Sequence, residues 1–556
     1  MNTFLKTYRL ALTPLSPIHI GCGDDFEPTN YVIDDGVLYG FDPSRAVLND
    51  LQTSKLTEAA NKASLLAVQR FFKDNTRVFK ALSDVQIAVS EGVAQTYEKN
   101  VGRATNIEAS GNMVFNRLYI ERTMYTGRLS QPYIPGSSFK GAIRTAMLDD
   151  INQDRSPTED CKKTSSALEK RLFKGDFETS PLRLLKIADL MATPGCETQR
   201  RVLFAVNRKK TQIIRDGQEL QPKGIAARKE CILHGQYRAF QADAVLPSLD
   251  PHRDGKITPV EELRPTDLKL IARQSNGYNM KRLRRELTLL DGRGFVNPTW
   301  KADIEALLAG ELGNKLTNGD AFLIRLGRYG GAESKTLSGD GVAQIKIMQG
   351  KGQPAVTQST TKTVWLAAEH ENEQKHLLPF GWAVVEIDPQ ADLPQLKDWC
   401  DAESKGRRDL GQLRRQFEAE KAEAQKRKTE MAAQTALREA AKREELLAVQ
   451  QRALALASMT VQSQLIESLR QKCEDWFKHL PPNGNYKKQE ANIGRAGLFQ
   501  EASKLVTLAM TGTDWTAAEK AKLADMLDEW LPKAVAPWGK DERKKLKVSA
   551  LRGIGL

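Results

Sequence analysis

The sequence predicts an α+β body followed by an all-helical extension, and three observations carry that expectation. Up to about residue 390, short alternating runs such as Thr7-Tyr8-Arg9-Leu10-Ala11-Leu12-Thr13 are interleaved with segments of helical period. From Glu403 to Met459 the chain is dominated by Ala, Glu, Lys, Arg and Gln, with no proline and no glycine after Gly411. Apolar helical faces then return, and Trp476, Trp515, Trp530 and Trp538 are half of the eight tryptophans.

In chain order, the strand at 7–13 runs into Leu15-Ser16-Pro17-Ile18-His19-Ile20-Gly21-Cys22-Gly23, where Gly21 and Gly23 permit close backbone approach. Tyr31-Val32-Ile33 and Val37-Leu38-Tyr39 read as a hairpin about an Asp35-Gly36 turn. Asp42-Pro43-Ser44 should cap a helix through Leu51, and Leu65, Leu66, Val68, Phe71 and Phe72 mark another. Residues 114–121 read as a strand, with Arg117, Arg122 and Arg128 as candidate phosphate contacts. A loop-rich insertion at 153–200 is broken by Pro157, Pro181 and Pro194.

Tyr133-Ile134-Pro135-Gly136-Ser137-Ser138-Phe139-Lys140-Gly141-Ala142-Ile143-Arg144-Thr145-Ala146-Met147 is the most informative stretch. It begins extended, turns at Pro135-Gly136 and becomes helical, with Ser137 expected as the N-cap. Phe139, Ala142, Ile143, Ala146 and Met147 make one apolar face, leaving Lys140 and Arg144 on the wet side. Free amides at Gly136, Ser137 and Ser138 beside two cations suit a phosphate. The Ser137/Lys140 spacing also fits a Ser-x-x-Lys nucleophile, but no Ser-Asp-Asn or Lys-Thr-Gly partner accompanies it.

A second strand-rich region follows, with strands expected at 202–206, 229–234 and 237–246 and a hairpin over 210–217. Helices are expected at 259–275, 278–290 and 300–309, the second carrying the basic face Lys281, Arg282, Arg284 and Arg285. The strand Ala321–Leu326 empties into Gly327-Arg328-Tyr329-Gly330-Gly331-Ala332-Glu333-Ser334-Lys335-Thr336. This loop superficially resembles a Walker A motif, but Tyr329 and Ser334 fill the two positions that require glycine. Arg328, Tyr329, Gly330, Gly331 and Lys335 instead suit single-stranded RNA, offering charge, one ring and backbone amides.

Composition narrows the class. A chain of 556 residues exceeds one core, so two or three domains are expected. With 28% charged residues, a mean hydropathy of −0.48 and no long apolar run, the expectation is a soluble cytoplasmic protein without membrane contact. Lys6 and Arg9 interrupt any signal-peptide apolar region. The six cysteines are scattered without a Cys-x-x-Cys pair, so no metal or cofactor is expected. A formal charge of +13 and a pI near 9.2 favour a polyanionic partner.

Ile134 to Ala146 resembles the signature of the RAMP superfamily, the repeat-associated proteins of CRISPR effector complexes. Ser16-Pro17-Ile18-His19-Ile20-Gly21, Ile345–Met348, Thr363–Ala367 and Pro379–Glu386 extend the resemblance over about 5–390, towards the type III-A subunit that caps the crRNA 3′ end. It implies tandem ferredoxin-like (RRM-like) units over 1–200 and 201–395; beyond it, the residues themselves read as a charged helix or linker at 396–460 and a small helical bundle at 461–556. It further implies an RNA-binding rather than catalytic subunit. The expected partners are crRNA, a backbone RAMP subunit, a small helical subunit and, indirectly, target RNA. The alternatives are a subunit of another type III subtype, or a crRNA-processing endoribonuclease that uses His19, or an acidic pair such as Asp34/Asp35.

The 403–459 stretch starts a heptad seam at Leu410, Phe417 and Ala424 that breaks at Arg438 and Glu445, so a single solvated helix is expected. At 1.5 Å per residue it would run on the order of 80 Å. Thr516-Ala517-Ala518-Glu519 reads as a capping box in the bundle, whose last helix should close at Pro532 ahead of the basic Lys540–Arg552 segment.

Overall fold

The computed structural model describes residues 4–62, 64–107, 113–115, 117–127, 130–155, 164–215, 217–219, 226–248, 259–339, 341–349, 352–478, 489–490 and 497–553. It is a mixed α+β protein with two compact units, Met1–Lys421 and Ala422–Leu556.

The first unit is built on two large sheets. One has the strand order Lys186–Ile187, Phe240–Pro247, Leu5–Pro14, Trp382–Ile387 and Ala321–Arg325, with Met191–Ala192 also paired to Phe240–Pro247. All its pairings are antiparallel. Alternation along the strands feeds two cores. Phe322, Ile324, Ala383 and Val385 face Phe139, Ile143 and Met147 of the Gly136–Asn152 helix and Leu268 and Ile271 of the Leu268–Gly292 helix. Ala321, Leu323, Trp382 and Val384 belong to the second core, with Trp300, Leu283, Leu287 and the other sheet's Val202, Phe204 and Val206.

The second sheet has nine strands. Its main order is Gly21–Phe26, Ile120–Thr123, Ala227–Ile232, Arg200–Lys209, Val85–Val89, Val37–Gly40 and Tyr31–Asp34. Thr363–Ala368 pairs with Arg200–Lys209 and carries Leu378–Pro379. Both sheets thus draw strands from either side of residue 200.

Several local readings are corrected. The Asp35-Gly36 hairpin forms as expected, with positive φ at both residues, 47° and 68°. Asp42, however, caps only the short 3-10 turn Pro43–Arg45, and the helix begins later, at Asp50, where Asn49 and Gln52 form a capping box. The strand expected at 114–121 is two short pieces, Met113–Phe115 and Ile120–Thr123, separated where Leu118 takes φ 57°. The helices expected at 259–275 and 278–290 are one, Leu268–Gly292. Its apparent breakers are staples. Ser275 Oγ donates to the Leu323 carbonyl (2.7 Å), and Asn276 donates to Ala321 O (2.9 Å) while accepting from Leu323 N (2.8 Å).

After the Pro394–Ser404 helix, Gly406 turns at φ 80° and the chain enters the 48-residue helix Leu410–Ala457. Its first turns belong to the body. Leu410, Leu413 and Phe417 pack with Val32, Val37, Tyr39, Phe41 and three phenylalanines, Phe71, Phe72 and Phe79. In the second unit, Val461–Lys478, Leu498–Thr511 and Ala517–Ala534 share a core that includes Cys473, Val506 and Leu527. The Thr516/Glu519 capping box forms, but Pro532 lies inside the last turn of its helix rather than beyond it.

Candidate nucleic-acid interface

The signature stretch is held from outside itself. Ile134 exchanges backbone hydrogen bonds with Leu190 (3.0 and 2.9 Å), and the N-cap is Pro135, not Ser137. The Gly136 N–H donates to Asp189 Oδ1 at 2.8 Å, so that amide is already taken. A Cβ on Gly136 would stand 2.6 Å from the Ile187 carbonyl oxygen, which is why the position needs glycine. Ser137 is exposed and Ser138 partly so. Phe139, Ile143, Ala146 and Met147 are buried as the helical period predicts, and Ala142 is half-buried.

The two cations on the opposite side differ. Arg144 is engaged in an ion pair with Glu169. Lys140 has no acid partner among the described residues; burial, and next the Lys186 ammonium, hold it below the ordinary lysine value. Lys186, itself exposed on the edge of the first sheet, also lacks one among the described residues. Two neighbouring unneutralised ammoniums beside a helix start are an anion-attracting arrangement.

The glycine-rich loop is anchored to the first turn of the chain. The Arg328 N–H donates to His19 O (2.9 Å), and Leu326 N and Gly381 N tie the loop to Gly381 O and Pro17 O (2.8 Å each). Gly327, at φ 79°, leaves no room for a Cβ, which would meet His19 O at 2.2 Å. The Arg328 guanidinium lies over Gly21, where a Cβ would be 3.3 Å from its central carbon. Gly23, at φ 93°, has open space around it.

Beneath Arg328 is a charged network. Arg328 Nη1 donates to Glu121 Oε2 at 3.0 Å, and the other Glu121 oxygen pairs with Lys229, whose side chain is 1% exposed. His19 is fully buried; its Nδ1 lies 2.8 Å from the Glu230 carbonyl oxygen, and its Nε2 lies 3.6 Å from Glu121 Oε2. The His19 contact, with Lys229 next, lowers the Glu121 carboxyl to about 2. Glu230, also fully buried, accepts from Arg200 Nη1 at 2.8 Å. The Lys229 ammonium is buried, so it depends on the partly exposed Glu121 for its counter-charge.

Tyr329 takes φ 71° and is half-buried, its ring against Phe380 (5.2 Å between centroids) and Trp365 (5.4 Å). Gly330 and Gly331 turn away towards a different cavity, and Lys335 is exposed at the end of the 3-10 turn Ala332–Lys335. Arg117 is exposed near Tyr119, whereas Arg122 is sandwiched between Phe26 and Tyr125 (4.3 and 3.7 Å). Arg128 lies outside the described residues. Asp34 pairs with Lys80 (2.6 Å) and Asp35 with Arg408 (2.7 Å), so the hairpin carboxylates serve as ion-pair partners.

The structure therefore brings Gly21, Arg328 and Tyr329 together and groups Gly136, Ser137, Ser138, Lys140 and Arg144 separately. The segment between them is hydrogen-bonded to both, because Met124 N donates to Ile20 O (2.7 Å) and Tyr133 N to Met124 O (3.2 Å). Sequence reading missed Glu121, Lys186, Asp189, Lys229 and Glu230. The one local signal was Lys229-Glu230 inside the otherwise strand-like run Ala227–Ile232, where a charged pair is costly unless it is partnered.

A sheet-built body with this signature helix resembles one class, and the comparison agrees. Residues 11–202 match the family model described as RAMPs, the RAMP superfamily. The curated relatives are Csm5 proteins of CRISPR systems. That of Streptococcus thermophilus is 29% identical over 149 residues, 27% of this chain and 40% of the relative. That of Methanocaldococcus jannaschii is 31% identical over 136 residues, 24% of this chain and 28% of the relative. The alignments thus span less than half of either relative. Among solved structures, the cryo-EM structure of a Csm–crRNA–target RNA ternary complex of a type III-A CRISPR-Cas system includes a chain matched with a TM-score of 0.39. It shares 15% identity, over 68% of this chain and all of that one. The T. onnurineus Csm5 crystal structure is matched with a TM-score of 0.43, also at 15% identity, over 68% of this chain and 99% of that one. Residues 11–202 are thus similar to the RAMP superfamily, and part of the chain is similar to Csm5 proteins.

Proposed function

We propose that the protein is a crRNA-binding subunit of a type III-A effector complex that caps the crRNA 3′ end. The observation that carries this reading is the unneutralised pair Lys140/Lys186 beside the signature helix, inside the stretch matched by the RAMP family. Arg328, laid across Gly21 and exposed, adds a third cation whose charge is partly offset by Glu121, and Arg117 and Lys335 add exposed charge. Binding rests on phosphate neutralisation, with base pairing elsewhere in the complex giving sequence selection. The body would carry two ferredoxin-like halves, each corresponding to one large sheet rather than to a consecutive stretch of chain. Its partners would be the backbone RAMP subunit, a small helical subunit and, through the guide, target RNA. The endoribonuclease alternative finds less support, since His19 is sealed from solvent and Asp34 and Asp35 are ion-paired.

The test is binding of labelled crRNA to the pure protein over a salt series. Lys140→Ala with Lys186→Ala is expected to weaken binding and to flatten the log–log salt slope by roughly one unit or somewhat more. Arg144→Ala should do less, because Glu169 already neutralises that side chain. Equal affinity and slope for the double variant would overturn the assignment, and cleavage of the RNA by the wild type would favour the enzyme.

A further inference from the structure

The glycine-rich loop has a second side. Gly330, Gly331 and Ser334 line a cavity of about 800 Å³ that also takes in Lys281, Arg282 and Arg285 from the Leu268–Gly292 helix. That volume lies within the range of small-ligand pockets. The basic helix face read from the sequence is therefore not a plain solvated surface, since part of it walls a pocket.

Charge pairing within the cavity leaves a surplus of cations. Glu286 is fully occupied, one oxygen by Arg325 (2.8 Å) and the other by the Trp382 indole N–H (2.7 Å). Glu333 is held by Lys210 (2.6 Å) and the Thr361 hydroxyl (2.8 Å). Arg282 has carbonyl partners, chiefly Thr336 O (2.9 Å) and Glu333 O (3.2 Å), and its nearest carboxylate oxygen, on Asp149, is 4.0 Å away. Lys281 and Arg285, one turn apart and exposed, have no partner among the described residues. Against these three cations only Asp154 remains without a partner of its own among the described residues lining the cavity. Ser334, Ser359 and Thr360 also line the cavity, the Ser334 hydroxyl donating to Gly331 O (2.8 Å), and no aromatic ring is among the lining residues.

We propose that this cavity is a separate anion site that takes the phosphate groups of a nucleotide, either free or at the end of an RNA chain. Cations and hydroxyls supply recognition, so the base contributes little. The site is independent of Arg328, which lies on the other side of the loop. Because Arg282 grips the carbonyls of Glu333 and Thr336, an occupied site also braces the loop.

Calorimetric titration of the full chain with ATP, GTP and inorganic triphosphate at low salt tests the proposal. ATP and GTP should bind with similar affinity, and Lys281→Ala with Arg285→Ala should weaken both by roughly tenfold or more. Circular dichroism of that variant should be unchanged, as both side chains are exposed. Arg328→Ala should keep nucleotide binding even where it loses crRNA, which separates this site from the proposed guide site. Displacement of ATP by saturating crRNA would assign the phosphate to the RNA chain, and retention would assign it to a free nucleotide. Failure of all three ligands to bind, or binding indifferent to the double substitution, would overturn the proposal.

Discussion

Glu121 shows how a single residue ties the loop to the body. Its carboxyl is held at about 2 against an ordinary 4.5, so its stabilisation is present above pH 4.5 and is lost as pH falls towards 2. Glu121→Gln leaves Lys229 buried without its counter-charge, and the variant should melt lower at neutral pH. The difference in melting temperature should stay constant above about pH 5 and shrink on acidification. A pH-independent difference would mean that the carboxylate charge is not what matters. Gly136→Val tests a residue whose role changed between sequence and structure. Read alone, it offered a free amide to RNA; in the fold, Asp189 takes that amide and Ile187 crowds the Cα. The variant should therefore be destabilised by about 1–3 kcal/mol without any RNA present, measured by denaturant unfolding. Ser137 was misread as the cap for the same reason. The group satisfying the helix start lies 53 residues downstream, and no local pattern encodes it.

At the scale of elements, the periodic signals were legible wherever one face was buried. The Leu5–Pro14 strand, the Asp35-Gly36 hairpin and the apolar face of Gly136–Asn152 follow from alternation, turn chemistry and helical spacing. Leu268–Gly292 did not, because Ser275 and Asn276 look like breakers until the strand Ala321–Arg325 accepts their hydrogen bonds. The edge of the body was also set too early. Leu410, Leu413 and Phe417 cover Val32, Val37 and Tyr39, while Arg407 donates to His234 O (2.7 Å) and Arg414 pairs with Glu197. A chain ending after Ala402 loses this cover and exposes an aromatic cluster, whereas one ending after Lys421 keeps it. The longer truncation should be monomeric and melt cooperatively, and the shorter should bind a hydrophobic dye and melt several degrees lower. Identical melting curves would show that the first turns of the long helix add nothing to the body.

For the whole molecule, the net charge of +13 favours a polyanion but does not say which unit meets it. The basic C-terminal segment is less basic in the fold than in the sequence. Arg543 pairs with Asp528 (2.8 Å) and Arg552 with both Asp525 and Asp528 (2.8 and 3.0 Å), leaving Lys540, Lys544 and Lys547 without an acid partner among the described residues. The cations proposed to contact the guide, Lys140, Lys186 and Arg328, all lie in Met1–Lys421. A protein ending at Lys421 should therefore hold crRNA with the full-length affinity and salt slope. Each phosphate contact on a single strand adds about 0.7 to that slope, so engagement of the three free lysines would show as a slope steeper by about 2 in the full chain. The same comparison with target RNA, made in the effector complex proposed above, tests whether the helical unit acts there. If it does, the truncated complex should bind target RNA less tightly and with the shallower slope. Unchanged crRNA binding together with weakened target binding would divide the two tasks between the two units. A fall in crRNA affinity on truncation would move part of the guide site out of the sheet-built body.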